Sequence, residues 1–347
     1  MSTNPLSARL LELSALVDNR LRQQVRLSPP PFAALGAMQG YHLGWFGPDL
    51  SPLERPEDPG KRLRPAVCLL TCAALCGDVA PAVGVAAAIE LLHNFSLVHD
   101  DIQDQSPTRR HRPSVWALWG TAQAINVGDA LFASSMLAIA EDAALPPDRC
   151  VEAVRLLGRT SVLLVEGQYL DLALQAAPLV TLDEYEAMVG RKTAALFATS
   201  AELGAVCAGA GPVAAAAYAA FGRALGFAFQ YQDDVLGVWG DERRTGKSAA
   251  SDVRSGKKSL PVVLAFRDAD EAQRDALRRL YALPERSGAD ADAVLRLFDS
   301  IGVRATVEAR VGAQYAEAGA RLAAAPGDPA EKALLAALIA SLRGRSA

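Results

Sequence analysis

The sequence predicts an all-α protein. Apolar residues recur at helical spacing along almost the whole chain from Arg64 onward, and runs that alternate β-branched with polar residues are hard to find. The composition is globular and helix-compatible, with 51% apolar, 21% charged and 6% aromatic residues. No internal repeat or low-complexity linker divides the chain. We therefore expect a single helical domain over residues 1–347.

The residue pattern of the N-terminal part predicts two helices and a loop. Amphipathic spacing over residues 7–27 indicates the first helix, which the prolines 29–31 end. A short helix then runs to about Tyr41. The stretch 44–60 carries four prolines and three glycines, which indicates a loop. We expect residues 1–30 to be peripheral to the domain.

The rest of the chain predicts helices separated wherever Gly, Pro or Asp cluster. The break at 240–256 is polar and Gly-rich, and loops of that length are uncommon unless they are functional. The other predicted breaks lie at 77–81, 106–113, 145–148, 176–182, 209–212, 284–290 and 326–329.

Charge and cysteine content narrow the class of protein. The net charge of −4, from 35 basic and 39 acidic residues, gives no overall field that would recruit nucleic acid. Cys68, Cys72 and Cys76 recur every four residues, which could suit an iron–sulfur cluster but fits the buried face of a helix better. No basic-then-apolar leader opens the chain, and no stretch of about 20 uncharged apolar residues indicates a membrane span. We expect a cytoplasmic protein.

Two acidic clusters carry the chemistry. Asp100, Asp101 and Asp104 follow one apolar helical run, and Asp233 and Asp234 follow another. Residues four apart share a helix face, so Asp100 and Asp104 project the same way and need a cation to offset their repulsion. Oxygen ligands of this density suit Mg²⁺ bound to substrate phosphates. The clusters therefore predict phosphate chemistry.

Basic residues lie beside both clusters. Lys61 and Arg64 open a helix, where backbone donors and cations together favour an anion, although a solvated basic turn would look similar. Arg109 and Arg110 follow the first cluster closely, consistent with a polyphosphate held from two sides or with local salt bridges. Lysines 247, 257 and 258 follow the second cluster in the loop.

Other motifs are absent or ambiguous. His93 shares a helix face with Asp100 and could reach a phosphate, or it could be a buried structural histidine. The Gly246-Lys247 pair lacks the rest of a P-loop, and neither a zinc ligand set nor a serine nucleophile elbow occurs.

Together these residues resemble a known family, the trans-prenyl diphosphate synthases (polyprenyl synthetases). The resemblance runs from about residue 30 to the C-terminus and is carried by motifs that occur in the family's order: Gly60-Lys61-Arg62-Leu63-Arg64-Pro65, Leu91-Leu92-His93, His99-Asp100-Asp101-x-x-Asp104, Arg109-Arg110-x-Arg112-Pro113, Gly128-Asp129, Gly167-Gln168, Lys192-Thr193, Phe229-Gln230-x-x-Asp233-Asp234 and Gly246-Lys247. It implies the isoprenoid synthase helical bundle around a deep central cavity, as a homodimer. The implied substrates are isopentenyl diphosphate and an allylic diphosphate, with about three Mg²⁺ ions in each active site.

The resemblance also implies roles for individual residues. Asp100, Asp104 and Asp233 would bind Mg²⁺, supported by Asp101 and Asp234. The allylic diphosphate would be held by Arg109, Lys192, Lys247 and Lys257, and isopentenyl diphosphate by Lys61, Arg64, His93 and Arg110. Thr193 and Gln230 would lie near the developing cation.

Some positions depart from the family pattern. Gly237 stands where a third aspartate is common, and Asp241, one helical turn further, is our candidate for compensation. His111 and Pro59 each stand where glycine is usual, which bears on the backbone shape of two loops.

The product is expected to be short. Phe95, with the small Ser96 beside it, lies five residues before Asp100 on the route that the growing chain would take. An aromatic residue at this place resembles the short-chain synthases, so we expect geranylgeranyl diphosphate, with farnesyl diphosphate as the alternative. A weakly active or regulatory subunit of a hetero-oligomer stays open. A terpene cyclase on the same fold is disfavoured, because Gly237 and Asp241 break the cyclase motif and the basic residues fit isopentenyl diphosphate.

Overall fold

The protein folds almost entirely into helices, which confirms the predicted class. The computed structural model describes residues 5–25, 29–57, 60–240, 250–283 and 285–344. The helices are α1 (Pro5–Gln24), α2 (Ala33–His42), α3 (Leu63–Cys76), α4 (Val83–Gln103), α5 (Val115–Ala140), α6 (Pro147–Ala176), α7 (Leu182–Val189), α8 (Ala195–Cys207), α9 (Pro212–Trp239), α10 (Ser251–Ser255), α11 (Leu260–Asp268), α12 (Glu271–Tyr281), α13 (Gly288–Ile301), α14 (Val303–Ala324) and α15 (Pro329–Arg343). A short β-hairpin joins α4 to α5; its strands, β1 (Thr108–Arg109) and β2 (Arg112–Pro113), have two residues each.

Most helix boundaries fall where the sequence predicts breaks, with a few differences. The break at residues 269–270, between α11 and α12, was not predicted. Within the predicted loop at 240–256, residues 251–255 form α10, so that part of the prediction is wrong. The break between α13 and α14 was not predicted: Gly302 adopts φ of +79° there, which lets one helix end and the next begin without a loop. Asp241 and Lys247 lie outside the described residues.

The chain groups into two compact units. The first comprises Met1–Ser161, Thr199–Tyr218 and Pro326–Leu335, and the second comprises Val162–Ala198, Ala219–Ala325 and Ala336–Ala347. The single domain stays a prediction, as does the central cavity.

Helix α4 is the core of the first unit. It packs against α1, α3 and, most extensively, α5. Val85, Ile89 and Leu92 are among its fully buried side chains, spaced to face these neighbours on more than one side. This packing fixes the end of α4, which carries the first acidic cluster.

Helix α11 is the core of the second unit. Every residue from Leu260 to Phe266 is buried, and α11 packs against α7, α12, α13 and α14. Its first residue, Leu260, lies beside the second acidic cluster.

Three helical stretches are long and apolar enough to cross a membrane when judged by length and composition alone: 80–103, 115–140 and 212–239. Length and composition by themselves therefore do not support the expectation that the chain lacks a membrane span.

Candidate active site

The first acidic cluster combines open and buried carboxylates at the end of α4. Asp100 is partly exposed and Asp104 is exposed, whereas Asp101 is buried. Arg109 donates from Nε to Asp101 Oδ1 at 2.9 Å. Burial raises the pKa of Asp101, and Arg109 partly offsets that rise. Asp101 therefore fixes Arg109, while Asp100 and Asp104 are at least partly exposed to solvent.

A tight hairpin places the arginines of the next motif. Arg109 pairs with Arg112 across the two strands, and the turn residues Arg110 and His111 have φ of +51° and +62°. Positive φ at both central positions is the geometry of a type I′ turn. His111 thus adopts the backbone that glycine would favour, so the loop keeps its shape. Arg112 ties the hairpin to the end of α2, because its Nη1 donates to the Tyr41 carbonyl at 3.1 Å.

The predicted isopentenyl-binding residues of the first unit meet at the start of α3. Arg64 Nη1 lies 3.3 Å from His93 Nε2 on α4, and Lys61 is exposed. Burial lowers the pKa of His93 well below its usual value, and Arg64 and Arg110 lower it further. His93 is therefore neutral at physiological pH and can contribute a hydrogen bond rather than a charge.

The predicted chain-length residues lie one to two turns before Asp100. The ring of Phe95 is 5.2 Å from that of Phe132 on α5 and 4.8 Å from that of His99. Ser96 donates to the carbonyl of His93 at 2.8 Å, so its hydroxyl is turned back onto its own helix. Phe132 was missed from sequence, since nothing in α5 marks it before its contact with Phe95 is known.

The second acidic cluster repeats the arrangement of the first. Asp233 is partly exposed, and Asp234 is buried. Asp234 accepts hydrogen bonds from Tyr185 Oη at 2.5 Å, Gln230 Nε2 at 2.9 Å and the backbone N–H of Leu260 at 2.8 Å. Burial raises the pKa of Asp234, against the effect of nearby Lys257. A carboxylate held by three hydrogen bonds is fixed in position, and it in turn fixes Tyr185, Gln230 and the first residue of α11.

Carboxylates also hold the predicted diphosphate-binding lysines of the second unit. Lys192 Nζ lies 2.6 Å from Asp171 Oδ2. Lys257 Nζ lies 3.8 Å from Asp234 and 3.7 Å from Asp252. Burial alone would lower the pKa of Lys257, but the two aspartates outweigh it and raise the pKa above its usual value. Lys257 therefore stays charged.

Lys192 and Thr193 lie in a π-helical turn, Gly190–Ala194, between α7 and α8. Such turns are rare and are frequently found at functional sites. Thr193 Oγ1 donates to Gln230 Oε1 at 2.8 Å, which links the turn to the second cluster. Gly167 on α6 lies against the backbone of Lys192, and a β-carbon there would overlap it. The Gly167-Gln168 motif is thus explained by close packing.

Gly237 is explained by a residue that sequence reasoning missed. A β-carbon at Gly237 would overlap the carboxylate of Asp252, which lies on α10 and is buried. Asp252 therefore occupies the space beside position 237. Its place five residues before Lys257 is the one signal in the sequence that could have found it.

The predicted metal ligands are carried by both units, Asp100 and Asp104 by the first and Asp233 by the second. Within the described ranges, no three His, Cys, Asp or Glu side chains cluster closely enough to hold a metal ion. The ligand set stays a prediction.

The helical fold, with paired aspartates in the last two turns of two helices and basic residues beside each pair, defines an enzyme of the isoprenoid synthase class. The polyprenyl synthetase profile matches residues 53–298. A geranylgeranyl diphosphate synthase of Mycobacterium tuberculosis is 42% identical over 252 residues, 72% of this chain and 70% of that protein. A (2E,6E)-farnesyl diphosphate synthase of Mycobacterium bovis is 43% identical over 250 residues, 71% of this chain and 67% of that protein.

A solved structure extends the likeness to nearly the whole fold. The geranylgeranyl pyrophosphate synthetase of Pyrococcus horikoshii superposes with a TM-score of 0.88 at 32% identity, over 98% of each chain. The chain belongs to the polyprenyl synthetase family. It is a short-chain trans-prenyl diphosphate synthase, and the resemblance drawn from its motifs is confirmed. The family is generally dependent on a divalent metal.

Proposed function

We propose that this enzyme condenses isopentenyl diphosphate with an allylic diphosphate, using Mg²⁺, and that its product is geranylgeranyl diphosphate. The observation that carries the activity is the repeated arrangement of the two clusters, each with a partly solvent-exposed aspartate beside a buried, hydrogen-bonded one. Farnesyl diphosphate is the second candidate, because one close relative bears that name.

The residues of the first cluster fit a hard divalent cation. Asp101 Oδ2 is buried and has no hydrogen-bond partner among the described residues, and Asp100 and Asp104 present further carboxylate oxygens one helical turn apart. All-oxygen donors of this kind suit Mg²⁺. Asp100, Asp104 and Asp233 would hold about three ions, and bound Mg²⁺ would neutralise charge on the departing diphosphate.

The chain's own cations would hold that leaving group. Arg109, Lys192 and Lys257 each lie beside an aspartate that fixes their position, which supports a role for all three at the allylic diphosphate. Lys247 is proposed for the same role. Preset donors need no reorganisation when charge develops, so they favour the transition state.

Isopentenyl diphosphate would be bound by Lys61, Arg64, Arg110 and neutral His93. Thr193 and Gln230, joined by a hydrogen bond, would turn oxygen atoms toward the allylic cation. Apolar helices would exclude the water that quenches this cation. The proton lost after condensation would pass to the diphosphate, since no side-chain base is required.

Product length is proposed from the aromatic pair Phe95 and Phe132. The prenyl chain would grow from Asp100 toward these two rings. Because the rings are in contact, they would limit its length, which supports a short product.

We also propose a cytoplasmic homodimer. Val162, Val165 and Tyr169 are exposed on one face of α6, an apolar stripe that a second copy would cover. Light scattering after gel filtration would test this, with the monomer mass as the contrary outcome.

One assay tests the activity. Purified protein, isopentenyl diphosphate, Mg²⁺ and each allylic diphosphate in turn are incubated, and products are sized by mass spectrometry. We expect condensation that Asp100→Asn abolishes and that Asp148→Asn, at the exposed start of α6, leaves intact. Failure to condense with any allylic partner would favour the regulatory subunit.

A further inference from the structure

Arg62 lies between Lys61 and Arg64 but has a different environment. It is 5% exposed, whereas Lys61 is exposed and Arg64 is partly so. Its backbone is left-handed, with φ of +45°, and its carbonyl accepts the first hydrogen bond of α3, from the N–H of Ala66 at 3.0 Å. A buried side chain here does not contact substrate, so its role lies within the protein.

Two helices supply carboxylates to Arg62. Its Nη1 donates to Glu90 on α4 at 2.6 Å, and its Nη2 donates to Asp18 on α1 at 2.9 Å. Glu90 is 3% exposed and is itself fixed by Asn94, whose Nδ2 donates to the Glu90 carboxylate at 2.8 Å. Hydrogen bonds to charged groups that are shielded from water are strong and directional. We call Asp18, Arg62 and Glu90 the buried triad, after the burial of Arg62 and Glu90; Asp18 is partly exposed at its edge.

The buried triad adjoins the residues proposed to bind isopentenyl diphosphate. Glu90 and His93 are three residues apart on α4, so they share a face. The basic turn is thus attached to that face twice, by Arg62 to Glu90 and by Arg64 to His93. A shift of Arg62 would move Arg64 relative to His93.

We propose that the buried triad positions Lys61 and Arg64 for isopentenyl diphosphate, and that α1 is thereby a working part of the substrate site. The inference rests on the proposed function. Helix α1 precedes the residues that match the family profile, which begin at 53, and it was expected to be peripheral. The proposal differs from that expectation, because the Asp18 side chain accepts a hydrogen bond from Arg62 in the turn.

Asp18 is the residue to change, because its side chain is 30% exposed and its loss leaves the core intact. Asp18→Asn keeps the shape but removes the charge, and Arg62→Lys keeps the charge but cannot bridge two carboxylates as a guanidinium does. Glu12→Gln on the same helix is the matched control, since Glu12 is exposed and forms its ion pair with Arg9 one turn away on α1.

Initial rates are measured with each substrate varied in turn, and binding of isopentenyl diphosphate alone is measured by calorimetry. We expect Asp18→Asn to raise the KM and Kd for isopentenyl diphosphate about five-fold, with the KM for the allylic substrate within about two-fold of wild type. Arg62→Lys should show the same selectivity, and Glu12→Gln should match wild type.

A merely structural role would lower the melting temperature without this selectivity. Unchanged Kd for isopentenyl diphosphate in Asp18→Asn, with the wild type binding normally, would refute the positioning role alone. If the wild type binds no isopentenyl diphosphate, that result would instead refute the proposed function, and the positioning role with it.

Discussion

His42, the last residue of α2, gives the chain a defined sensitivity to acid. Its Nε2 is buried, and its ring lies in a small cavity lined by Arg109, Arg110 and Arg112. Burial lowers the pKa of His42 from 6.5 to about 3, and the charges of Arg110, Arg109 and Arg62 lower it further, against a hydrogen bond with Asn94 that raises it. The folded protein therefore keeps His42 neutral where an unfolded chain would protonate it.

The sign and size of the effect follow from this depressed pKa. Stability from neutral His42 is fully present above pH 6.5 and is lost as the pH falls toward 3, because the unfolded state then binds the extra proton. Between pH 7 and pH 5 the loss is about 2 kcal/mol, from 1.36 kcal/mol for each pKa unit crossed.

The assay compares urea unfolding of the wild type and His42→Gln at pH 7, 6 and 5 by circular dichroism. The difference between their free energies of unfolding should change by about 2 kcal/mol across this range, in favour of the variant at low pH. His111→Gln, at an exposed position of the hairpin turn, is the control. If the curves of His42→Gln and wild type run parallel in pH, His42 is not held neutral by the fold.

Three other predictions concern the site and its loops. Gly237→Ala should destabilise the protein by about 1–3 kcal/mol and lower the rate, because the added methyl group overlaps the Asp252 carboxylate; an unchanged melting temperature would contradict this packing. Phe95→Ala should lengthen the product seen by mass spectrometry, as should Phe132→Ala, and a wild-type product length in both would end the case for an aromatic floor. His111→Gly should raise the free energy of unfolding by up to about 1 kcal/mol, because a side chain is strained at φ of +62°; a loss of stability would mean that the His111 side chain contributes more than its backbone costs.

The sequence was sufficient for elements defined by local pattern. Helical spacing and clusters of Gly, Pro and Asp predicted most boundaries, since these signals act within a few residues. Gly302 was missed because a single glycine between two amphipathic stretches gives no loop composition to notice. Residues 251–255 were missed because a five-residue helix is too short to show a period.

Site residues were predictable where a motif carried them, but their partners were not. Asp171 and Asp18 lie in ordinary amphipathic helices, and only folding brings them to Lys192 and Arg62. Arg62 itself has the composition of an exposed basic turn, and its burial depends on carboxylates 28 and 44 residues away. Pairings over such distances leave no local pattern.

The π-helical turn at Gly190–Ala194 has a consequence for how this chain can change. A π turn holds one residue more than the regular helix on either side of it. Removing one residue from this turn would restore regular α-helical spacing between α7 and α8, and the residues left in the turn would point in new directions, so Lys192 and Thr193 could not both keep Asp171 and Gln230. Other helices of this chain could absorb a single-residue deletion at their ends. Here the same deletion would disturb two contacts of the site, Lys192 with Asp171 and Thr193 with Gln230.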